Sequence, residues 1–223
     1  MNPQLPASAA IYNRALLAIY DAYVLGFSNR WVWRCPSARI LVLYNRHVAG
    51  RHLEVGVGTG YFPDHCHFPV AAPAIDLLDI HPDTLTTASR RLSRYRPRAI
   101  RANVLEPLPD LAGGYGSIAV NYLLHCLPGP LADKAGRVFA QLAPLLDTDE
   151  GRLFGATILG EGVPHNALGR RLMDVYNDRG IFGNRQDNEA DLRRQLEAHF
   201  PAHELEMHGC VAVFAGYRRK PAG

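Results

Sequence analysis

The chain reads as one α/β domain built on a doubly wound, mainly parallel sheet, and three observations predict it. From Arg51 onward short apolar runs alternate with helical segments, the rhythm of strands covered by helices on both faces. A glycine-rich turn, within "HLEVGVGTGYF" at 52–62, follows the first of those runs. The chain then closes on "HELEMHGCVAVFAGYRR", two strands meeting at Gly209 that form an antiparallel hairpin at the sheet edge. With 223 residues there is enough chain for one well-buried core and too little for two ordinary domains, and no linker, repeat or low-complexity tract divides it.

Residues 9–27 space apolar and aromatic side chains helically, and "SARILVLYNRHV" at 37–48 gives a second, shorter helix after Pro36. These helices have no place in the sheet, so 1–49 is expected to form a helical cap folded over the ligand, with the core spanning 50–223. Strands are expected at 51–55, 74–80, 98–104, 117–123 and 152–159, and helices at 82–95, 130–146 and 187–199. Pro82 opens the first of these helices, a position where its missing N–H costs nothing. The stretch 160–188 breaks the rhythm with an extra helix and a glycine-rich return, and is expected to be a lid.

Composition narrows the class of function. Hydrophobic residues make up 48% and charged residues 20%, as in ordinary globular proteins, and no apolar run approaches the roughly 20 residues that span a bilayer. The N-terminus lacks a basic segment followed by an apolar core, so no secretory signal is expected. Four cysteines without CxxC spacing suit reduced thiols, and a cytoplasmic setting follows as the expectation. The formal charge is +3, and Lys134 and Lys220 are the only lysines. The arginine run Arg90, Arg91, Arg94, Arg96, Arg98, Arg101 reads as a solvated face rather than a nucleic-acid footprint. In "DHCH" at 64–67 adjacent side chains point apart and no second ligand pair follows, so no metal is expected.

The glycine turn must be matched to a ligand. A dinucleotide fingerprint requires a third glycine where Tyr61 stands, and a phosphate loop requires a lysine that does not follow. What stands here is acidic-x-Gly-x-Gly-x-Gly: Glu54, Gly56, Gly58, Gly60. Such a loop suits S-adenosylmethionine, which has no phosphate, because glycines let the backbone lie against its methionine portion while nearby groups meet the ammonium. The next strand runs into Asp79, a carboxylate placed to accept both ribose hydroxyls of an adenosine. Asp76 competes, but it sits mid-strand and is expected to face a polar partner.

In these residues the sequence resembles the class I S-adenosylmethionine-dependent methyltransferases. "LEVGVGTG", "LLDIHPDTL", "RANVLEPLP" and "YGSIAVNYLLHCLPG" look like four successive motifs of that family, in order. The resemblance implies a seven-stranded Rossmann-like sheet with an antiparallel last strand, S-adenosylmethionine as cofactor, and Asn103 and Val104 bordering the adenine. In similar small-molecule enzymes a "YD" pair on an N-terminal helix lies near the methionine end, which Tyr20 and Asp21 match. Two positions depart from the family, Asn103 and Ser117, where aspartate is common.

Asn121, Tyr122 and His125 stand where the fourth of these strands ends, at the mouth where ligands meet in open α/β sheets. Asn121 is read as a cofactor contact, Tyr122 and His125 as catalytic, with His125 the general base because imidazole titrates near neutrality. Tyr23, Phe27, Trp33, Met173, Tyr176 and Phe182 are read as an apolar acceptor pocket. The reading is methyl transfer to a small, apolar or aromatic metabolite, with no nucleic-acid or membrane partner. Two alternatives remain compatible with the same loop: a non-methylating enzyme that uses the cofactor for a cyclisation or rearrangement, and a protein or nucleic-acid methyltransferase. The nucleic-acid variant resembles a D/N-P-P-Y/F pattern, whereas this chain has Asn121, Tyr122, Leu123, Leu124.

Overall fold

The structure, a computed structural model, describes residues 28–219. The expected helix over 9–27, with Tyr20, Asp21, Tyr23 and Phe27, lies outside them. After a wide helical turn at 28–32, helix α1 (Ser37–His47) buries Ile40, Leu43, Tyr44 and His47, one stripe at i, i+3, i+4 and i+7. Then come β1 (Arg51–Val55), a short α2 (Tyr61–His65), β2 (Ala74–Asp79), α3 (Pro82–Arg91), β3 (Arg98–Arg101), β4 (Ser117–Asn121) and α4 (Leu131–Leu142). The chain continues through β5 (Arg152–Ile158), α5 (Ala167–Asp178), α6 (Glu189–His199), β6 (Ala202–His208) and β7 (Val211–Tyr217).

Seven strands form one sheet in the order β3-β2-β1-β4-β5-β7-β6. The first five are parallel, and β7 runs antiparallel between β5 and β6. The expected hairpin turns at Gly209 and Cys210, with Gly209 at φ +61°. A side chain there would collide with the Trp33 carbonyl 2.4 Å away, so glycine serves both the turn and the close approach.

Alternation along each strand divides the core into two faces. On one, Leu53, Ile118, Val120, Leu153 and Phe214 pack against α4 and α6 through Leu131, Val138, Phe139, Leu192 and Leu196. On the other, Ala119, Phe154, Ala156 and Ala215 pack against α1, and Ile75 and Leu77 against Leu85 and Ala88 of α3. This places α1 differently from expectation. Its 3.6-residue stripe seats it on the sheet face, with Tyr44 stacked on Phe62 and edge-on to Phe154, rather than folded over a ligand.

Among the described residues the predicted strands and helices are present, most of them with closer ends. The third strand stops at Arg101, because Asn103 turns the chain: its Oδ1 accepts the Leu105 N–H at 3.0 Å and its carbonyl the Glu106 N–H at 3.0 Å. The fourth stops at Asn121, where Tyr122 takes a left-handed φ of +54°. The insertion between β5 and α6 carries α5, capped by the Asn166 side chain accepting from Gly169 N–H at 2.7 Å.

Candidate active site

The order of the strands reverses between β1 and β4, and a crevice opens there beyond their carboxyl ends. A cavity of about 350 Å³ occupies it. Its wall comes from the end of β1 and the turn behind it (Glu54, Gly56 to Thr59, Tyr61 to Pro63), the end of β2 (Asp79, Ile80, His81, Thr84), the turn after β3 (Asn103, Leu105) and the end of β4 with the segment behind it (Asn121 to Leu123, Cys126 to Pro128); Gly60, expected among them, faces Ala88 of α3 instead.

The glycines each hold a positive φ, +73°, +51° and +73° at 56, 58 and 60. At Gly56 a Cβ would also lie 2.9 Å from a Leu123 methyl, whereas at Gly58 it would meet nothing within 4 Å, so that glycine leaves its space to the cavity. Asp79 is buried at the end of β2. Its Oδ2 accepts the Val57 N–H at 3.0 Å and its Oδ1 the His81 N–H at 2.8 Å, which ties the glycine turn to the second strand. Burial nevertheless wins over these bonds and raises its pKa. Asp76 faces the polar partners expected of it: Arg98 grips it at 2.6 and 3.0 Å, and the Tyr115 hydroxyl donates to it.

Glu54 reaches the cavity from above a buried polar chain. The Tyr44 hydroxyl donates to its Oε1 at 2.6 Å, His52 Nε2 lies 3.0 Å from its Oε2, and His52 Nδ1 lies 2.8 Å from Ser117 Oγ. That hydroxyl also accepts the Ala49 N–H at 2.9 Å. Ser117 therefore has a defined partner, which its departure from the family pattern did not reveal. Asn121 is buried at the cavity wall, and its Oδ1 has no hydrogen-bond partner among the described residues. Among the lining residues there is no lysine or arginine.

Several residues singled out in the sequence stand elsewhere. Val104 is buried in the core, its carbonyl accepting from Gln141 Nε2 at 2.6 Å, and Leu105 lines the cavity in its place. His125 sits behind the wall. Its ring is buried, its Nδ1 accepts the Ile158 N–H at 3.5 Å, and burial with Lys134 nearby pushes its pKa down to about 3. An imidazole so weakly basic is poorly suited to general base work near neutrality. Tyr122 does line the cavity, and its ring stands edge-on to His125 at 5.9 Å. Beyond it Trp33, Met173, Tyr176 and Phe182 pack together, Phe182 contacting His125 at 4.5 Å, Tyr176 at 4.9 Å and Trp33 at 6.0 Å. They buttress the cavity wall rather than line it, since aromatic rings bury one another where they meet. In "DHCH", Asp64 pairs with Arg94 and the His65 ring stacks on Tyr61.

A sheet in this order, with a glycine turn behind its first strand and a buried carboxylate closing its second, is the arrangement of the class I methyltransferases. No protein-family profile matches the chain. Relatives do: it is 40% identical to demethylluteothin O-methyltransferase of Streptomyces thioluteus over 97% of this chain and 94% of that one. It is 38% identical to the physcion biosynthesis cluster O-methyltransferase of Aspergillus chevalieri, over 95% of both. The fold is shared with the DhpI complex with SAH, TM-score 0.64 at 16% identity, over 93% of this chain and 94% of that one. The chain belongs to the S-adenosylmethionine-dependent small-molecule methyltransferases, and S-adenosylmethionine is its cofactor. No helix among the described residues is long and apolar enough to cross a membrane.

Proposed function

We propose that the cavity seats S-adenosylmethionine and that the acceptor is a hydroxyl on a small, apolar or aromatic metabolite. One observation carries the cofactor's placement: two carboxylates and an unpartnered amide oxygen line a cavity that has no lysine or arginine among its described residues. That set rejects a pyrophosphate and suits a ligand with a diol and an ammonium. Asp79 accepts from the ribose hydroxyls, Asn103 and Leu105 border the adenine, and Gly56 and Gly58 lie along the methionine portion, with Gly60 letting the turn pack close to α3. Glu54 and the Asn121 Oδ1 face the ammonium.

Bound there, the cofactor supplies an activated methyl carbon. The chain's own part is to align the acceptor and exclude water. Tyr122 serves this at the wall, held in a left-handed conformation that a bulky residue adopts only where its surroundings enforce it. The acceptor approaches along Tyr122, Leu127 and Pro128, with the Trp33–Phe182 cluster behind. An oxygen acceptor is supported by the names of the relatives, O-methyltransferases both. Nucleic acid is not an acceptor in this reading, since most of the arginine run is engaged within the molecule: Arg94 with Asp64, Arg98 with Asp76, Arg91 with Thr59 and Arg101 with the Ile80 carbonyl.

The test is calorimetric titration with S-adenosylmethionine, S-adenosylhomocysteine and NADH, followed by incubation with a panel of hydroxylated aromatics and mass analysis. Binding of the first two alone, and a product heavier by one methyl group as an ether, is the expected result. Methylation at nitrogen or carbon, or none with consumption of the cofactor, would replace the acceptor reading.

A further inference from the structure

Beneath the glycine turn, the buried chain Tyr44, Glu54, His52, Ser117 links α1, β1 and β4 through hydrogen bonds of 2.6, 3.0 and 2.8 Å. We propose that Tyr44, His52 and Ser117 are positioning residues that fix the Glu54 carboxylate as the seat of the cofactor's ammonium. The inference rests on the placement of the cofactor given above.

Each link has its own physical reason. A carboxylate taken out of water is costly unless its oxygens are met by donors. Tyr44 meets Oε1, and the His52 ring meets Oε2, so each oxygen has one donor and keeps a lone pair for a further donor. His52 and Glu54 are two apart on β1, which puts them on the same face of the sheet. The His52 ring is held by Ser117 across the β1–β4 pair, where His52 and Ser117 are directly opposed in register. Ser117 is in turn held by the Ala49 N–H between α1 and β1. Tyr44 cannot swing away, because its ring is packed between Phe62 at 5.4 Å and Phe154 at 5.0 Å. The carboxylate is thus held on both oxygens from below and presents its remaining lone pairs to the cavity that it lines.

The chain also explains residue choices that core packing does not require. A sheet-facing position on β1 is ordinarily apolar, yet here two consecutive positions on one face are His and Glu, both buried. Serine opposite the imidazole supplies a small hydroxyl that accepts from a backbone N–H and meets a ring nitrogen at once.

The experiment compares two ligands by calorimetry. S-adenosylhomocysteine carries the ammonium, whereas 5′-methylthioadenosine keeps adenine and ribose without the amino acid. Tyr44→Phe removes one hydroxyl and keeps the packed ring. It is expected to weaken S-adenosylhomocysteine about tenfold, which corresponds to about 1.4 kcal/mol, and to leave 5′-methylthioadenosine within about twofold. His52→Ala should act in the same direction, and His52→Asn, which restores an N–H donor, should recover part of the loss. Equal loss of both ligands would mean that the chain only holds the turn together, and no loss of either would remove its role altogether; each overturns the proposal. Wild-type protein that binds neither ligand would instead overturn the placement of the cofactor, a result separable from the variants' behaviour.

Discussion

Asp79 carries the most specific assignment that a single residue makes. Its carboxylate is buried and already holds two backbone N–H groups, so ribose hydroxyls complete a set of donors around a charge that burial disfavours. Asp79→Ala should weaken S-adenosylmethionine by about 1.5 to 3 kcal/mol, the scale of hydrogen bonds to a charged group; calorimetric affinity equal to wild type would remove the ribose role. The raised pKa fixes the sign of a pH effect. Ligand hydroxyls donate to the ionised form, so binding expels a proton from the fraction of molecules in which Asp79 is protonated. Affinity is expected to be full well above the raised pKa and to fall as pH drops through it, and Asp79→Asn should flatten that dependence. The glycines and Asp79 were legible in the sequence because their signals are local: a strand end, a turn, a carboxylate before Pro82. His125 misled for the same reason. Its distance from β4 was correct, but the ring is buried away from the cavity against Phe182, and that burial with Lys134 nearby lowers its pKa; both partners are distant in sequence.

At the scale of elements, one buried ion pair ties the insertion to the cavity wall. Lys134 on α4 reaches Asp187 at 2.8 Å, and its Nζ also donates to the carbonyls of Leu127 at 3.2 Å and Gly183 at 2.7 Å. The Gly183 N–H donates to the His125 carbonyl at 2.8 Å, so the return of the insertion is clamped to the segment that lines the cavity. Burial lowers the pKa of Lys134 and raises that of Asp187 to about 6, both towards neutrality, so desolvation outweighs attraction. Lys134→Met alone should strand the carboxylate and destabilise the fold by about 3 to 5 kcal/mol, while Lys134→Met with Asp187→Leu should recover much of that loss, as read from urea unfolding. A double variant as unstable as the single one would show that the carbonyl bonds, not the charges, hold the clamp. Helix α6 and the strands were readable from periodicity. This clamp was not, because it joins residues whose only sequence signal is that Lys134 is one of two lysines.

The molecule as a whole divides its work at the reversal between β1 and β4. The half containing β1, β2 and β3 supplies the glycine turn, Asp79 and Asn103, while the half containing β4 to β7 supplies Asn121 and Tyr122 and carries the insertion behind them. The alternating rhythm was sufficient to read the sheet and its hairpin, since each strand's pattern depends on its own faces. It did not place α1, whose stripe is equally suited to capping a ligand and to covering the sheet until Phe62 and Phe154 are seen beside Tyr44. Defects are therefore expected to separate between the cofactor's seat, to which β4 contributes Asn121, and the Tyr122 wall that the insertion backs. Phe182 sits behind the wall, packed on His125, Tyr176 and Trp33, and does not line the cavity. Phe182→Ala should therefore lower kcat/KM for the acceptor by about tenfold through the loosened Tyr122 wall, with cofactor affinity unchanged, because positioning errors cost rate without touching distant contacts. Asp79→Ala should do the reverse, raising KM for the cofactor while saturating cofactor restores most of kcat. If both variants instead lose cofactor affinity in parallel, the insertion shapes the cofactor's seat as well, and the two halves work as one.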